Sequence, residues 1–200
     1  MNVFYLHHDP RISAQMHCDK HVVKMCVEYA QILSTAHRVI DGIKYIDDTS
    51  GRRVTRWKLH NKSEDILYKA THVNHPSAVW ARQTNENYEW LALQWLHLLN
   101  EYTFRYGKIH AASKLQFALM NIPRKIEIAI TWSDPPLAMP QECKVNDEFG
   151  YPDVVTSYRK YYILKKNTFA TWTGRDIPGW FQTGLLDLMV QQNEALGLYD

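Results

Sequence analysis

Two histidines and a glutamate in the first part of the chain have the residue types and the spacing of an acid-base site. His17, His21 and Glu28 differ by four and seven positions, which places their side chains within ~40° of one another around an α-helix. Imidazole and carboxylate groups act as acids, bases or charge stabilisers near neutral pH when burial and neighbouring charges adjust their pKa values. A solvated polar stripe explains the same spacing, so both interpretations stay open.

The same histidines fit one half of a metal site. His17 and His21 have the i, i+4 spacing that presents two nitrogens to one zinc ion, but the segment lacks the helical glutamate of the zinc-protease motif. Further ligands would have to come from His7, His8 or Asp9 after a chain reversal. We therefore expect no metal and no other cofactor, and we keep zinc at His17 and His21 as the alternative.

Basic and aromatic residues alternate in two later segments, a combination typical of nucleic-acid binding. Lysine and arginine pair with phosphates, and flat rings stack on unpaired bases. A helix with buried rings and exposed lysines produces the same pattern. The net charge is only +2, so a cationic surface must come from an uneven distribution of charge. The candidate DNA-binding residues are Arg52, Arg53, Arg56 and Lys58, followed by Tyr158, Arg159, Lys160, Tyr161, Lys165 and Lys166.

Several common protein classes are excluded by what the sequence lacks. The phosphate-binding patterns GxxxxGK and GxGxxG are absent, as is the GxSxG pattern of α/β-hydrolases. Apolar residues make up 46% of the chain, enough for a packed core, but no apolar run approaches the ~20 residues of a membrane span. Three cysteines without CxxC spacing and a start without a secretory signal predict a cytoplasmic protein that does not bind membranes.

Helical periodicity dominates the sequence. Asp9 and Pro10 are typical of a helix start, and an unbroken amphipathic helix is predicted over residues 10–39. Residues 85–106 predict a central helix, apolar around most of its surface, that ends at Gly107. Further helices are predicted over residues 63–72, 75–82, 111–121, 152–167 and 184–196.

The remaining segments predict a hairpin and a proline-rich loop. Residues 43–59 alternate around a Thr-Ser-Gly turn, which is typical of a short β-hairpin. Prolines at positions 123, 135, 136 and 140 predict an ordered, irregular loop over residues 123–151. We therefore expect a mainly α fold in which residues 1–200 form one compact helical domain with a long N-terminal helix and one small hairpin insertion.

Several short motifs, taken in order, resemble the pyrimidine-dimer DNA glycosylases, the family of the phage endonuclease V. The opening VFYLHHDP is similar to the start of bacterial relatives. The stretch HCDKHVVKMCVE places Asp19, His21 and Glu28 at the spacing of the family's Asp-x-His and its catalytic glutamate. Asn74-His75-Pro76 is similar to a His-Pro element after the first helices, and YRKYY to an aromatic, lysine-containing stretch near the family's end.

The resemblance implies a DNA glycosylase with abasic-site lyase activity that acts on damaged or modified pyrimidines after base flipping. Its nucleophile would be the α-amine of Met1, which we expect to be retained because Asn2 is large, and Glu28 would be the assisting carboxylate. His17 and His21 would orient groups or contact phosphate, with His7 and His75 as further site residues. The implied protein is a monomer that binds duplex DNA in a phage-infected host cytoplasm.

Two other functions stay open on the sequence alone. A phage base-modifying or metal-dependent enzyme could use His7, His8, His17 and His21 on the same helical fold. A non-catalytic nucleic-acid-binding protein would keep the basic surface without the reaction. Covalent trapping of DNA separates the glycosylase from both.

Overall fold

The computed structural model describes residues 1–49 and 51–196, and its secondary structure is mainly α-helical. The described residues contain α1 (Pro10–Met16), α2 (Asp19–Asp41), α3 (Ser63–Ile66), α4 (Pro76–Trp80), α5 (Asn85–Tyr106), α6 (Gln116–Leu119), α7 (Val154–Lys165) and α8 (Gly179–Ala195). The strands β1 (Ile43–Asp47) and β2 (Val54–Lys58) form an antiparallel hairpin in the register Ile43 to Lys58 and Asp47 to Val54. The predictions of a mainly α fold and of the hairpin are confirmed.

The predicted helix over residues 10–39 is wrong in one respect, because it breaks at His17 and Cys18. Both residues are extended, with ψ angles of 134° and 160°. Arg105 donates to the carbonyl oxygens of Gln15 and His17, which a continuous helix would use for its own hydrogen bonds. The backbone N–H of Asp19 donates instead to a carbonyl outside the helix, so a long-range contact divides α1 from α2.

Helix α5 is the central element and has the bounds that the sequence predicts. Thr84 caps its start by accepting the N–H of Asn87, and Gly107 ends it with a φ of 63°. Trp95 is fully buried, and its indole N–H donates to the Cys26 carbonyl of α2 at 2.8 Å. Most of the apolar surface that the sequence shows on α5 is therefore buried, chiefly against α1 and α2, whereas Leu93 and Phe104 are exposed.

The helix predicted over residues 63–72 is also wrong, since α3 has only four residues. The buried Arg38 guanidinium accounts for its early end, because it donates to the carbonyl oxygens of Glu64, Leu67 and Tyr68. In a longer helix those oxygens would accept backbone N–H groups. The same guanidinium donates to the Trp57 carbonyl and thereby joins the hairpin to α2.

The C-terminal half follows the prediction with shifted boundaries. The helix predicted over residues 111–121 is a 3-10 turn at Ala111–Leu115 followed by α6. The segment 123–151 is irregular except for a 3-10 turn at Gln141–Cys143 and one residue in an isolated β-bridge. Helix α8 begins at Gly179, five positions before the predicted start. Pro178 directly precedes it, and proline is tolerated at the start of a helix because no backbone N–H is needed there.

Most of the buried hydrophobic residues form one cluster that extends from Val3 to Phe181. The N-terminal segment, α1, α2, α5, α7 and α8 all contribute to it. Among the described residues, no helix combines the length and apolar character that crossing a bilayer requires.

Candidate active site

The N-terminal segment, residues 1–6, passes through the core and fixes the position of Met1. Val3 to Leu6 are buried, and the N–H of Phe4 donates to the Tyr29 hydroxyl at 2.9 Å. The N–H of Leu6 donates to Ser13 Oγ at 3.2 Å, and Arg159 Nε donates to the Leu6 carbonyl at 3.0 Å. A segment held at several points by buried hydrogen bonds places its first residue reproducibly.

Met1 meets the start of α4. Ser77 Oγ donates to the Met1 carbonyl at 3.4 Å, and the Ser77 N–H donates to Nδ1 of His75, the N-cap of α4. Because Nδ1 accepts that bond, the proton of the neutral imidazole is on Nε2. His75 is half-buried and presents an N–H donor beside the first residue of the chain.

Glu28 lies on the side of α2 that faces this region. Residues 28 and 35 are seven positions apart and share one face of the helix. Thr35 Oγ1 accepts from the backbone N–H of Thr71 and donates to its carbonyl, so α2 and the segment that leads to His75 are joined along that face. The Glu28 side chain is 18% exposed and pairs with Lys24 Nζ at 3.0 Å.

Charged groups act on the pKa of His75. Burial lowers the pKa of the imidazole, the positive charge of the Met1 amine and that of His72 lower it further, and the negative charge of Glu28 opposes the shift. The amine and the carboxylate therefore each lie within electrostatic range of the His75 imidazole. We name Met1, Glu28 and His75 the amine cluster.

The amine cluster has the groups needed for nucleophilic chemistry on an electrophilic carbon. A neutral α-amine is a nucleophile with an ordinary pKa near ~8. A carboxylate stabilises the positive charge that develops on a sugar when its leaving group departs. The lowered pKa keeps His75 neutral near pH 7, so it adds a hydrogen-bond donor without a second positive charge beside the amine.

His17 and His21 do not form an exposed stripe with Glu28, contrary to the expectation from their spacing. His17 is fully buried, outside both helices; its Nδ1–H donates to the Ser13 carbonyl, and its Nε2 accepts from Tyr29 at 3.3 Å. His21 is 5% exposed, its Nδ1 is bonded to the Tyr162 hydroxyl, and its ring stacks on Phe4. Neither can contact a phosphate in this structure.

Burial also determines the charge of these two histidines. It lowers the pKa of His17 to about 4 and that of His21 to about 2. Both are therefore neutral near pH 7. Their contacts with Tyr29 and Phe4 hold the N-terminal segment.

The described residues offer no site for the zinc alternative, and His7 and His8 each have other contacts. In residues 1–49 and 51–196, no group of three or more His, Cys, Asp or Glu side chains is arranged to hold a metal ion. His7 lies at the start of α1, where its Nδ1 accepts the N–H of Asp9. His8 is exposed and is bonded to the Tyr5 hydroxyl.

The predicted basic residues of the hairpin are on the surface. Arg52, Arg53 and Lys58 are exposed. Arg56 is 28% exposed and faces Asp47, with Nε 3.7 Å from Oδ2. The first predicted DNA-binding segment is therefore accessible, and we name Arg52, Arg53, Arg56 and Lys58 the hairpin cations.

The second predicted DNA-binding segment is divided between core and surface. Tyr158 is fully buried and donates to the Pro136 carbonyl, so its assignment as a DNA contact is wrong. Arg159 is half-buried and holds the N-terminal segment. Lys165 pairs with Glu142 at 2.8 Å, and Lys160 is exposed. Most of α7 therefore fits the alternative interpretation of the sequence, a helix with buried rings and exposed lysines.

A second basic surface lies at the N-terminal end of α2. Lys166 Nζ is 4.5 Å from the centre of the half-buried Tyr161 ring, and Lys20 Nζ is 4.5 Å from the centre of the Phe169 ring. The Phe169 ring lies 6.0 Å from the ring of His21, and Lys24 is exposed one helical turn after His21 on α2. We name Lys20, Lys24 and Lys166 the lysine patch.

Sequence reasoning missed the contributions of Lys20, Lys24 and Ser77. The lysines precede Glu28 by eight and four positions, so the helical period alone predicts that they share its side of α2. Ser77 had no comparable signal, because its contact with Met1 joins residues 76 positions apart.

Comparisons with known proteins add no relative: no protein-family model, no curated protein and no solved structure matches this chain.

Proposed function

We propose that this protein is a DNA N-glycosylase with abasic-site lyase activity on damaged or modified pyrimidines. The observation that carries the proposal is the amine cluster, in which Ser77 contacts both Met1 and His75 and the charges of the Met1 amine and of Glu28 both act on the partly exposed His75. The family resemblance of the sequence assigns the same two roles to the N-terminal amine and to Glu28. The lysine patch and the hairpin cations supply positive charge for DNA phosphates.

The proposed reaction begins with attack of the amine on the deoxyribose. The lone pair of the neutral amine forms a bond to C1′ while the bond between C1′ and the base breaks. The base leaves with that electron pair and takes up a proton, and the attacking nitrogen loses one. Opening of the C1′–O4′ bond then gives a protonated imine, with the proton for O4′ supplied by solvent.

Strand cleavage follows from the imine. The protonated C=N bond acidifies the proton on C2′, which a base removes. The electron pair left on C2′ forms the C2′–C3′ double bond, and the 3′-phosphate leaves with the electrons of the C3′–O3′ bond. Water then releases the amine from C1′.

Glu28 has two roles in this scheme. Its carboxylate stabilises the positive charge on the sugar as the base departs. Once the imine has formed, the same carboxylate is the base that removes the C2′ proton. The His75 Nε2–H remains a donor for the carboxylate or for a phosphate oxygen, and it holds no charge that would repel the amine.

Borohydride trapping tests this function directly. The protein is mixed with duplex DNA that carries either an ultraviolet-induced pyrimidine dimer or an abasic site, and borohydride reduces any imine to a stable amine. We expect a covalent adduct whose DNA-bearing peptide contains Met1. Glu28→Gln should lower the rate of adduct formation by about 10²-fold, since one stabilising carboxylate contributes factors of that order.

Two controls make the result specific. Glu89→Gln makes the same chemical change at an exposed position of α5 and should leave trapping unchanged. An uncleaved N-terminal extension moves the amine away from Glu28 and should abolish the adduct. Salt-sensitive DNA binding without any adduct would contradict the proposal and favour the non-catalytic DNA-binding function.

A further inference from the structure

A pocket lies between α4 and the irregular segment 133–136. Its volume is about 460 Å³, within the range of small-molecule sites. Asn74 and Pro76, the chain neighbours of His75, belong to its lining, so the pocket and the amine cluster share the start of α4. We name it the α4 pocket.

The buried Asn87 of α5 ties the two walls of this pocket together. Its Nδ2 donates to the Trp80 carbonyl at 3.1 Å and to Ser133 Oγ at 3.0 Å, and its Oδ1 accepts the Ser133 N–H at 3.2 Å. The Trp80 indole N–H donates to the Ser133 carbonyl at 2.8 Å. The core therefore holds α4 and segment 133–136 at a fixed separation before any ligand binds, as in most small-molecule sites.

The charge of the α4 pocket favours a ligand that donates N–H groups. Among the described lining residues, Asp134 is acidic and none is basic, which disfavours a phosphate. The exposed Asp134 carboxylate accepts the Trp132 indole N–H at 3.2 Å and lies near the Tyr5 hydroxyl. An ionised carboxylate has about four acceptor positions, so Asp134 can accept a further hydrogen bond from a ligand.

Two carboxamides complete the polar lining. The side chains of Asn74 and Gln83 are exposed and make no hydrogen bond to a described residue. A carboxamide both donates and accepts hydrogen bonds, whereas a carboxylate only accepts them. This combination matches the edge of a pyrimidine base, which presents N–H donors beside carbonyl acceptors, and enzymes that extrude a base read it through that edge.

We propose that the α4 pocket receives a pyrimidine base extruded from the DNA, with Asp134 accepting an N–H of its Watson–Crick edge and Asn74 and Gln83 bonding to the adjoining groups. The inference rests on the proposed function, because the sugar of the same nucleotide would then lie at the start of α4, beside Met1. It adds residues that select the base, which the amine cluster does not provide.

Nucleoside binding tests the pocket without any covalent chemistry. The Trp132 indole N–H is bonded to Asp134 and serves as the reporter; loss of one of the seven indole N–H resonances in Trp132→Phe assigns it. The probes are thymidine, N3-methylthymidine, which lacks the N3–H, 2′-deoxyadenosine, and 1,2-dideoxyribose, the sugar without a base. We expect thymidine to shift the Trp132 signal and the sugar to leave it unchanged. N3-methylthymidine should bind at least about tenfold more weakly, because it cannot donate to the charged acceptor.

Matched variants locate the acceptor. Asp134→Asn should raise the Kd for thymidine at least about fivefold through the loss of a charge-assisted hydrogen bond. Asp176→Asn removes the same charge from an exposed position outside the pocket and should change the Kd by less than about twofold. If the spectrum of Asp134→Asn shows a disrupted segment 133–136, Gln83→Ala decides the matter. Its expected rise is about threefold, against no change in the exposed control Gln182→Ala.

The possible results separate this inference from the proposed function. A Trp132 signal that ignores thymidine, equal Kd values for thymidine and N3-methylthymidine, or equal Kd values for Asp134→Asn and Asp176→Asn would overturn the pocket assignment. Tighter binding of 2′-deoxyadenosine than of thymidine would also overturn it, since the pocket would then take a purine. If trapping fails while thymidine binds as expected, only the glycosylase function is lost. If trapping succeeds while thymidine does not bind, only the pocket assignment is lost.

Discussion

At the scale of single residues, the difference between Glu28 and His21 shows how burial separates similar candidates. Both belong to α2, and both have functional groups suited to proton transfer. Phe4 and Tyr162 cover His21, so its neutral imidazole helps to hold the N-terminal segment. Glu28 keeps part of its surface, and its charge acts on His75. Accessibility therefore makes Glu28 the better catalytic candidate.

The buried histidines predict a loss of stability in mild acid. The folded-state pKa values of His17 and His21, about 4 and about 2, lie below the unfolded value of 6.5. Protons therefore bind the unfolded chain first. The stabilisation is complete above about pH 6.5 and is lost as the pH falls below that value. Urea unfolding at pH 7.5 and pH 5.0 should differ by roughly 2 kcal/mol for each histidine.

A control and a contrary outcome accompany the pH measurement. His60→Gln removes an exposed histidine and should preserve the difference in free energy of unfolding between the two pH values. Equal free energies at pH 7.5 and pH 5.0 for the unmodified protein would show that His17 and His21 are protonated in the folded state, contrary to the burial argument.

At the scale of elements, buried arginines determine where helices end. Arg105 donates hydrogen bonds to two carbonyl oxygens at the break between α1 and α2 and also bonds to Asp19 and Glu101. Arg38 does the same at the end of α3. In each place a side chain from another helix replaces the helical N–H donors, so the local sequence continues to favour a helix that the fold interrupts. Gly107, by contrast, ends α5 through local backbone geometry.

Gly107 allows a clean test of local helix termination. A Cβ added there would meet no atom within 4 Å, so the cost of Gly107→Ala comes from the φ of 63° alone. We expect a loss of about 1 kcal/mol in the free energy of unfolding. Gly179→Ala, in the first turn of α8, also places a Cβ in open space and should be neutral within about 0.5 kcal/mol. Equal effects at both positions in urea unfolding would contradict this explanation.

At the scale of the whole molecule, the distribution of charge matters more than its sum. A net charge of +2 gives little attraction to DNA. Lys20 and Lys24 of the lysine patch belong to the first turns of α2, Arg38 near its other end bonds to the hairpin, and Glu28 lies between them in the helix. The expected strand path therefore follows α2, with the amine cluster between two basic regions.

Salt dependence of DNA binding tests this path. Removing two phosphate contacts with Arg52→Ala and Arg53→Ala should reduce the slope of log Kobs against log[salt] for duplex DNA by about 2. Lys114→Ala with Arg124→Ala removes the same charge from the segment that contacts His37, nine positions from Glu28 and therefore on the opposite face of α2. This control should keep the original slope, and an equal reduction in both double variants would contradict the proposed path.

The sequence by itself determined what depends on local periodicity and local backbone chemistry. The bounds of α5, its end at Gly107, the hairpin and the cap at Asp9 all follow from residues within a few positions of one another. Glu28 could be chosen as a candidate for the same reason, because its helical face is a local property. The mainly α fold is the sum of such signals.

Only the tertiary structure decided which groups meet and which are covered. The break before α2, the short α3 and the burial of His17, His21 and Tyr158 depend on partners far away in the chain. Ser77 contacts Met1 across 76 positions, and Thr35 of α2 bonds to Thr71 in the segment that leads to His75. Periodicity reports the face of an element but not what packs against it, so these contacts had to be read from the folded chain.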